Sequence, residues 1–271
     1  MNPASRDIAA ESLLAFWAEA GVDAMLLDEP FDRIEAGKIA PIRLPEKPVA
    51  APITARAAPS AGPDVTAAVA DARRMAAAAP DLEALKVAIE AFDGCSLKFE
   101  GAARQSVFYR GSTTAPLMVI GEGPGQEEDI QGQPFVGRAG QLLDRMFAAA
   151  GLTDQVFITN SVFWRPPGNR NPSPGEQMVC APFLERAIEL LKPRMLLLVG
   201  GPSSKSMLKR EEGILSLRGR WFEWKSTDGA IELPAMPTLH PAFLLRQPAA
   251  KKKAWSDLLT LTERLNRPER P

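Results

Sequence analysis

The sequence predicts an α/β protein, a three-layer α/β/α sandwich around a central, mostly parallel, four-stranded sheet. Short apolar runs alternate with longer segments whose apolar residues recur at helical spacing, which is typical of this class. One run, MLLLV from Met195, is apolar throughout, as expected for a strand buried on both faces of a sheet. The expected strands are 117–120, 155–162, 195–199 and 236–239.

The first 63 residues differ in character from the rest of the chain. Residues 1–28 predict an N-terminal helix, because apolar residues recur at helical spacing between Ile8 and Leu27. Residues 29–63 are rich in proline and alanine without an apolar period, which predicts a semi-stiff or disordered linker. The folded domain is expected over 64–267, and the N-terminal helix is expected either to dock on it or to bind a partner.

Within this domain the apolar spacing predicts helices at 65–78, 81–92, 137–150, 176–191, 203–208 and 247–265. Pro80 separates the first two helices, and Asp81 caps the second. Residues 214–224 contain Trp221 and Trp224 and predict a short antiparallel excursion.

The composition excludes several classes of protein. A formal net charge of −1 provides no global field toward nucleic acid, so any DNA contact must come from local basic groups. No apolar run is long enough to cross a bilayer, and the N-terminus lacks a secretory pattern. Cys95 and Cys180 do not make a disulfide framework. We therefore expect a cytoplasmic monomer with reduced thiols and no membrane association.

Polar residues follow three of the expected strands. Glu122, Asn160 and His240, the sole histidine, each come just after an apolar run. The carboxyl ends of parallel strands share one edge of the sheet, where ligands bind in such folds. A glycine-rich turn at Gly121, Gly123 and Gly125 leads toward a helix at the same edge. The sequence therefore predicts one binding site there.

Four motifs resemble those of the family 4 uracil-DNA glycosylases, part of the uracil-DNA glycosylase superfamily. The first is GEGPGQEED from Gly121 with QGQPFVGRAGQLLD from Gln131. ITNSVFWRPPGNRNPSP, MLLLVGG and PTLHPAFLLRQP follow in the family's order, so that the resemblance covers roughly 92–261. It implies a monofunctional DNA-repair enzyme that flips uracil out of single- or double-stranded DNA, hydrolyses its N-glycosidic bond and leaves an abasic site.

The resemblance assigns the contacts with the base to residues that also have simpler explanations. His240 is expected to donate a hydrogen bond to the uracil O2 as charge develops there, or it only caps a strand end. The amide of Asn160 has both a donor and an acceptor, as needed to recognise the O4 and N3–H of uracil, and cytosine has the opposite pattern of donor and acceptor. Alternatively, Asn160 is a turn asparagine. Phe135 is expected to stack on the base, or it packs in the core.

Two carboxylates are candidates for catalysis. Gly123, which is expected to contact the substrate, stands where the best-known branch of the superfamily has a water-positioning aspartate, as family 4 permits. The water must then be held by backbone groups or by another acid. Glu128 is the expected substitute for that aspartate. Glu122 is the second candidate, or it orders the glycine-rich loop by accepting backbone N–H bonds.

Basic and polar side chains near the motifs are expected to contact DNA. In the RPPGNR loop these are Arg165, Asn169 and Arg170. Arg138 and Arg246 extend this set, and the run Lys251 to Lys253 either joins it or is only a solvated helix face. Phosphate contacts of this kind weaken with salt.

The chain departs from the family at the iron–sulfur cluster. Family 4 members usually hold a [4Fe–4S] cluster on four cysteines, of which Cys95 and Cys180 match the second and fourth. Phe92 and Trp164 stand at the other two positions. Because a cubane needs about four thiolates, we expect no cluster, no other metal site, and apolar packing by these two aromatic residues.

Two other functions are consistent with parts of the sequence. A catalytically weak or inactive family member would bind uracil-containing or abasic DNA without releasing the base. A nucleotide-binding α/β enzyme would use GEGPG as a phosphate loop, but no G-K-[ST] follows these glycines and the acids at 127–129 would repel phosphate.

Overall fold

The computed structural model of the protein describes residues 65–100 and 102–267. The predicted N-terminal helix and the linker lie outside the described residues, so the proposed domain boundaries stay a prediction. Among the described helices, none is long and apolar enough to cross a membrane.

Within these ranges six strands form one sheet in the order β1-β3-β2-β4-β6-β5. The strands are β1 Tyr109–Gly111, β2 Leu117–Gly121, β3 Val156–Asn160, β4 Met195–Val199, β5 Phe222–Lys225 and β6 Glu232–Thr238. The neighbours β3, β2, β4 and β6 are parallel, and β1 and β5 are antiparallel strands at the two edges. The predicted α/β class is confirmed. The strand count of four is wrong, because the four expected strands form only the parallel centre of the sheet.

Helices surround this sheet and include three short ones that the sequence did not predict, α3, α7 and α8. They are α1 Val65–Ala78, α2 Leu82–Ala91, α3 Gln126–Gln131, α4 Arg138–Ala149, α5 Pro174–Leu191, α6 Gly201–Leu208, α7 Ile214–Leu217, α8 Pro241–Arg246 and α9 Lys251–Leu265. Asp81 caps α2 by accepting a hydrogen bond from the Ala84 N–H at 2.8 Å. The expected helix at 81–92 therefore begins one residue later than predicted.

The core lies on both faces of the sheet because neighbouring residues of a strand point in opposite directions. On β2, Met118 and Ile120 pack into the cluster that includes residues of α1, α2 and α5. Leu117 and Val119 pack into the cluster on the other face with residues of α4 and α9. This explains why the central strands are apolar throughout.

The carboxyl ends of the parallel strands converge on one edge of the sheet. Gly121 at the end of β2 is paired with Asn160 at the end of β3. Thr238 ends β6, and His240 follows as the first residue of the turn into α8. The glycine-rich loop, Asn160 and His240 therefore meet at the edge where the sequence predicts a site.

Candidate active site

A cleft of about 550 Å³ lies at this edge. Its lining includes all the residues that the sequence predicted for catalysis and base binding: Glu122, Gly123, Glu128, Phe135, Asn160 and His240. A larger cleft of about 850 Å³ lies between α1, α5 and α6. That cleft lacks the feature that distinguishes the smaller one, which is a buried amide without a partner.

The amide of Asn160 is buried and its polar atoms are unsatisfied. The residue is 1% exposed. Neither Nδ2 nor Oδ1 has a hydrogen-bond partner, and these are the only such buried side-chain atoms among the described residues. Leaving a buried polar group unpaired costs about 1–3 kcal/mol. A donor and an acceptor thus lie ready in the cleft for a ligand with complementary groups.

The ring of Phe135 lies beside this amide. A Cβ atom at Gly121 would be 2.4 Å from Asn160 Oδ1 and 2.5 Å from Phe135 Cε2, so the amide and the ring come together above a position that only glycine can occupy. Phe135 is 6% exposed, and its backbone has a φ of 55°. A residue without glycine's freedom adopts this left-handed conformation only when its surroundings hold it there.

His240 faces the same space from the end of β6. Its ring centroid is 5.6 Å from that of Phe135. Nδ1 accepts a hydrogen bond from the Ala242 N–H at 3.1 Å, which caps α8. Burial, aided by Arg246 and opposed by Glu128, lowers the pKa of His240 to about 4. The imidazole is therefore neutral near pH 7 and carries its proton on Nε2, free to donate to a ligand.

Glu128 holds the loops around the cleft together. Its Oε1 accepts hydrogen bonds from the Val136 N–H at 3.0 Å and the Gly137 N–H at 2.9 Å, and its Oε2 accepts from the Gly125 N–H at 3.1 Å. The carboxylate thus joins the start of α3 to the turn that carries Phe135. This is the loop-ordering role that the sequence offered as the alternative for Glu122.

The carboxylate of Glu122 makes no hydrogen bond or ion pair within the described part of the chain. Its backbone carbonyl accepts a hydrogen bond from Ser161 Oγ at 2.6 Å, which fixes the main chain but leaves the side chain in the cleft. Burial raises the pKa of this carboxyl group. A half-buried acid without a partner at the wall of a cleft suits proton or water chemistry.

The basic residues expected to contact DNA fall into two groups. Arg246 lies at the rim of the cleft, Arg138 begins α4, and both are exposed. Neither makes a hydrogen bond or ion pair to another described residue. These two guanidinium groups are therefore available to a phosphate.

The RPPGNR loop holds its own basic groups. Arg165 Nε donates to Asn169 Oδ1 at 2.7 Å. The Arg170 guanidinium donates to Glu176 Oε2 at 2.9 Å and to Glu176 Oε1 at 2.6 Å, and a further bond of 3.2 Å reaches Glu100. Glu176 belongs to the capping box of α5, so Arg170 ties the loop to the start of that helix. Its guanidinium group is already engaged.

The residues at the family's four cluster positions come together in the core. Cys95, Cys180, Phe92 and Trp164 are all buried in one hydrophobic cluster. The ring centroids of Phe92 and Trp164 are 6.5 Å apart. The neighbouring Cys95 thiol, together with burial, raises the pKa of Cys180 well above its usual range.

Comparisons with known proteins show which family this chain belongs to. The family model described as "Uracil DNA glycosylase superfamily" matches residues 108–259. The chain belongs to the uracil-DNA glycosylase superfamily. It is 39% identical over 162 residues to a type-4 uracil-DNA glycosylase of Saccharolobus solfataricus, which covers 58% of this chain and 74% of that protein. The type-4 enzyme of Sulfurisphaera tokodaii is 38% identical, covering 59% of this chain and 74% of the relative. That of Pyrobaculum aerophilum is 36% identical, covering 66% and 91%. The resemblance to family 4 is confirmed.

The comparisons overturn the prediction that this glycosylase carries no iron–sulfur cluster. Its relatives are type-4 enzymes, the iron–sulfur class, so the family favours a cluster. The presence of two cysteines instead of four does not show that the cluster has been lost. Within the described ranges, however, no group of three or more His, Cys, Asp or Glu residues is placed to hold a metal, so the donor set does not fit a cubane by itself. No step proposed below depends on a cluster.

Sequence patterns did not identify one residue that binds the turn carrying Phe135. Arg110 on β1 donates from Nε to the Pro134 carbonyl at 2.7 Å and from Nη2 to the Phe135 carbonyl at 3.0 Å. Its partners are 24 and 25 residues further along the chain, and a lone arginine in a three-residue strand has no pattern that would predict such contacts.

Proposed function

We propose that this protein hydrolyses the N-glycosidic bond between uracil and deoxyribose in DNA, which releases uracil and leaves an abasic site. The observation that carries the proposal is the buried, unpartnered amide of Asn160 beside the rings of Phe135 and His240. A flipped uracil has the complementary groups, since its O4 accepts a hydrogen bond and its N3–H donates one.

Each side chain around the base has one task. Phe135 stacks on the uracil ring. Asn160 donates from Nδ2 to O4 and accepts at Oδ1 from N3–H, so that binding the base satisfies an amide that is otherwise unpaired. His240 donates from Nε2 to O2, where negative charge develops as the glycosidic bond breaks. A neutral imidazole can perform this task because its Nδ1 accepts from the Ala242 N–H, which leaves the ring proton on Nε2.

Water must reach the sugar carbon as the base departs. We assign the positioning of this water to Glu122, because its carboxylate lines the cleft and makes no hydrogen bond to the described residues. Glu128 instead keeps the loops in place through its backbone hydrogen bonds. Gly123 adds no side chain at the wall of the cleft and leaves room for the substrate.

DNA is held by the rim of the cleft. Arg246 and Arg138 bind phosphates. Arg165 and Asn169 contact the DNA strand from the RPPGNR loop. Arg170 acts on DNA only through the loop, because Glu176 engages its guanidinium group. Use of both single- and double-stranded DNA, a monomeric state and a cytoplasmic location stay predictions.

The test is uracil release from a labelled oligonucleotide that contains one uracil, followed by alkali. We expect strand breakage at the uracil and none in matched oligonucleotides that carry cytosine or thymine. Variants Asn160→Ala and His240→Ala, assayed at equal protein concentration, serve as controls against a contaminating enzyme. Tight binding of the uracil oligonucleotide with an intact strand after alkali would contradict the proposal and favour a binding module.

A further inference from the structure

We infer that Arg110 is a positioning residue for the glycosylase reaction, one that fixes the ring of Phe135 in the orientation that grips the base. This inference rests on the function proposed above. It concerns a residue outside the four motifs, on the edge strand β1.

Arg110 binds the main chain on both sides of the Phe135 Cα atom. Its guanidinium donates to the carbonyl oxygens of Pro134 and Phe135 at 2.7 and 3.0 Å. Two carbonyls bound by one planar, charged group are fixed in direction as well as in place. The arginine side chain is 21% exposed, so solvent competes little for these bonds.

The backbone of Phe135 needs such a grip because it is strained. Its φ of 55° lies in the left-handed region, which a phenylalanine rarely adopts. On the opposite side of the turn, Glu128 accepts hydrogen bonds from the N–H groups of Val136 and Gly137. Arg110 and Glu128 therefore hold the two ends of one peptide group, the Phe135 carbonyl and the Val136 N–H.

Helix α4 packs against the Phe135 carbonyl from the other side. A Cβ atom at Gly140 would lie only 1.6 Å from the Phe135 carbonyl oxygen, so the helix backbone contacts this carbonyl directly. The carbonyl is thus confined between Gly140 and the Arg110 guanidinium. A small rotation of this peptide would swing the Phe135 ring away from the Asn160 amide.

Arg110 also ties the turn to the strand that reads the base. In the β1–β3 register Arg110 faces Ile158, two residues before Asn160. The Phe135 ring is therefore connected to β1 through Arg110, and the Asn160 amide lies on β3, the strand paired with β1. This arrangement favours a constant spacing between the two groups that contact the uracil.

The rival explanation is an ordinary surface ion pair. Arg110 Nη2 also donates to Asp144 Oδ1 at 2.6 Å, and the Asp144 side chain is 50% exposed. Exposed pairs of this kind contribute little. Asp144→Asn removes this pair and leaves the bonds to the two carbonyls intact, which makes it the matched control.

The experiment compares wild type, Arg110→Met, Arg110→Lys and Asp144→Asn in the full chain. Affinity for free uracil is measured by NMR titration. Flipping is followed by the fluorescence of a 2-aminopurine next to the uracil in DNA, and single-turnover excision is measured at saturating protein. We expect Arg110→Met to weaken uracil binding and flipping about 10- to 100-fold, the scale for hydrogen bonds to a charged group. Single-turnover excision should slow in proportion to the loss of flipping, because saturating protein does not restore a step that follows DNA binding. Arg110→Lys should recover part of the affinity, and Asp144→Asn should match wild type.

Wild-type affinity in Arg110→Met would overturn the inference, and so would equal losses in Arg110→Met and Asp144→Asn. If Arg110→Met does not fold, Arg110→Lys decides: weaker uracil binding supports the inference and wild-type binding refutes it. If the wild-type chain binds uracil but releases none from DNA, the proposed function fails, whereas the role of Arg110 is still decided by the affinity for free uracil.

Discussion

Replacing Asn160 by leucine should stabilise the protein and abolish its activity. The amide is 1% exposed, and neither of its polar atoms has a partner among the described residues. Leucine keeps the branch at Cγ and removes both unpaired groups. If the unpaired amide costs about 1–3 kcal/mol, the unfolding free energy should rise by up to that amount. In a domain of roughly 150–250 residues this corresponds to an increase in Tm of about 2–12 °C.

The neighbouring residue on the same strand provides the control. Thr159 is also buried, but its Oγ1 donates to the Phe108 carbonyl at 2.7 Å. Thr159→Val is nearly isosteric and leaves this carbonyl unpaired, so it should lower stability by about 1–3 kcal/mol. The two substitutions thus remove polar atoms from adjacent buried positions and should change stability in opposite directions.

The assay is thermal unfolding by calorimetry, together with uracil release from an oligonucleotide. We expect Asn160→Leu to raise Tm and to reduce excision by at least 10²-fold, the pattern of a functional residue that is maintained at a cost in stability. A Tm well below that of wild type would refute the reasoning, because it would mean that the amide is satisfied in the free protein. Retained excision would refute its role in recognition.

Other outcomes follow from the charges of the site. His240→Ala should slow single-turnover excision by about 10²-fold or more, and near-normal turnover would remove the imidazole from the mechanism. The pKa of His240 is lowered to about 4 from 6.5, so its contribution to stability is present above about pH 6.5 and is lost as the pH falls toward 4; melts over this range measure it. Burial raises the pKa of Glu122, so excision should rise with pH through that raised value, and Glu122→Gln should be slow and lack this limb; a limb that persists would exclude Glu122. Arg246→Ala should reduce the salt dependence of DNA binding by about one phosphate contact. Arg170→Ala should leave that dependence unchanged and lower Tm, and the reverse pattern would make Arg170 the phosphate ligand.

The parts of the fold with a clear apolar period could be predicted from the sequence. Helix α1 and strand β4 have the predicted bounds, Val65–Ala78 and Met195–Val199. Strand β1 could not be found this way, because three residues are too few to show alternation and its burial is only partial. Helix α8 begins at Pro241, and its six residues are too few to show a helical repeat.

The site could be predicted only in part. Positions after strand ends and the motifs identified Asn160 and His240, which lie together as the topology requires. The roles of Glu122 and Glu128 depend on which of the two carboxylates accepts hydrogen bonds from backbone amides further along the chain. The Val136 and Gly137 amides that bind Glu128 are eight and nine residues away, across a turn whose geometry the sequence does not specify.

The carboxylate of Glu176 couples the opening of the cleft to the fraying of helix α5 at its N-terminus. It accepts from the Ser173 N–H at 2.7 Å in the first turn of α5, and it also binds the guanidinium of Arg170 in the loop that lines the cleft. If that first turn unwinds, the loop loses its anchor at the same moment. Amide hydrogens in the loop and in the first turn of α5 should therefore exchange with solvent at one common opening free energy. The route by which DNA gains access would then be governed by the end of a helix rather than by a hinge.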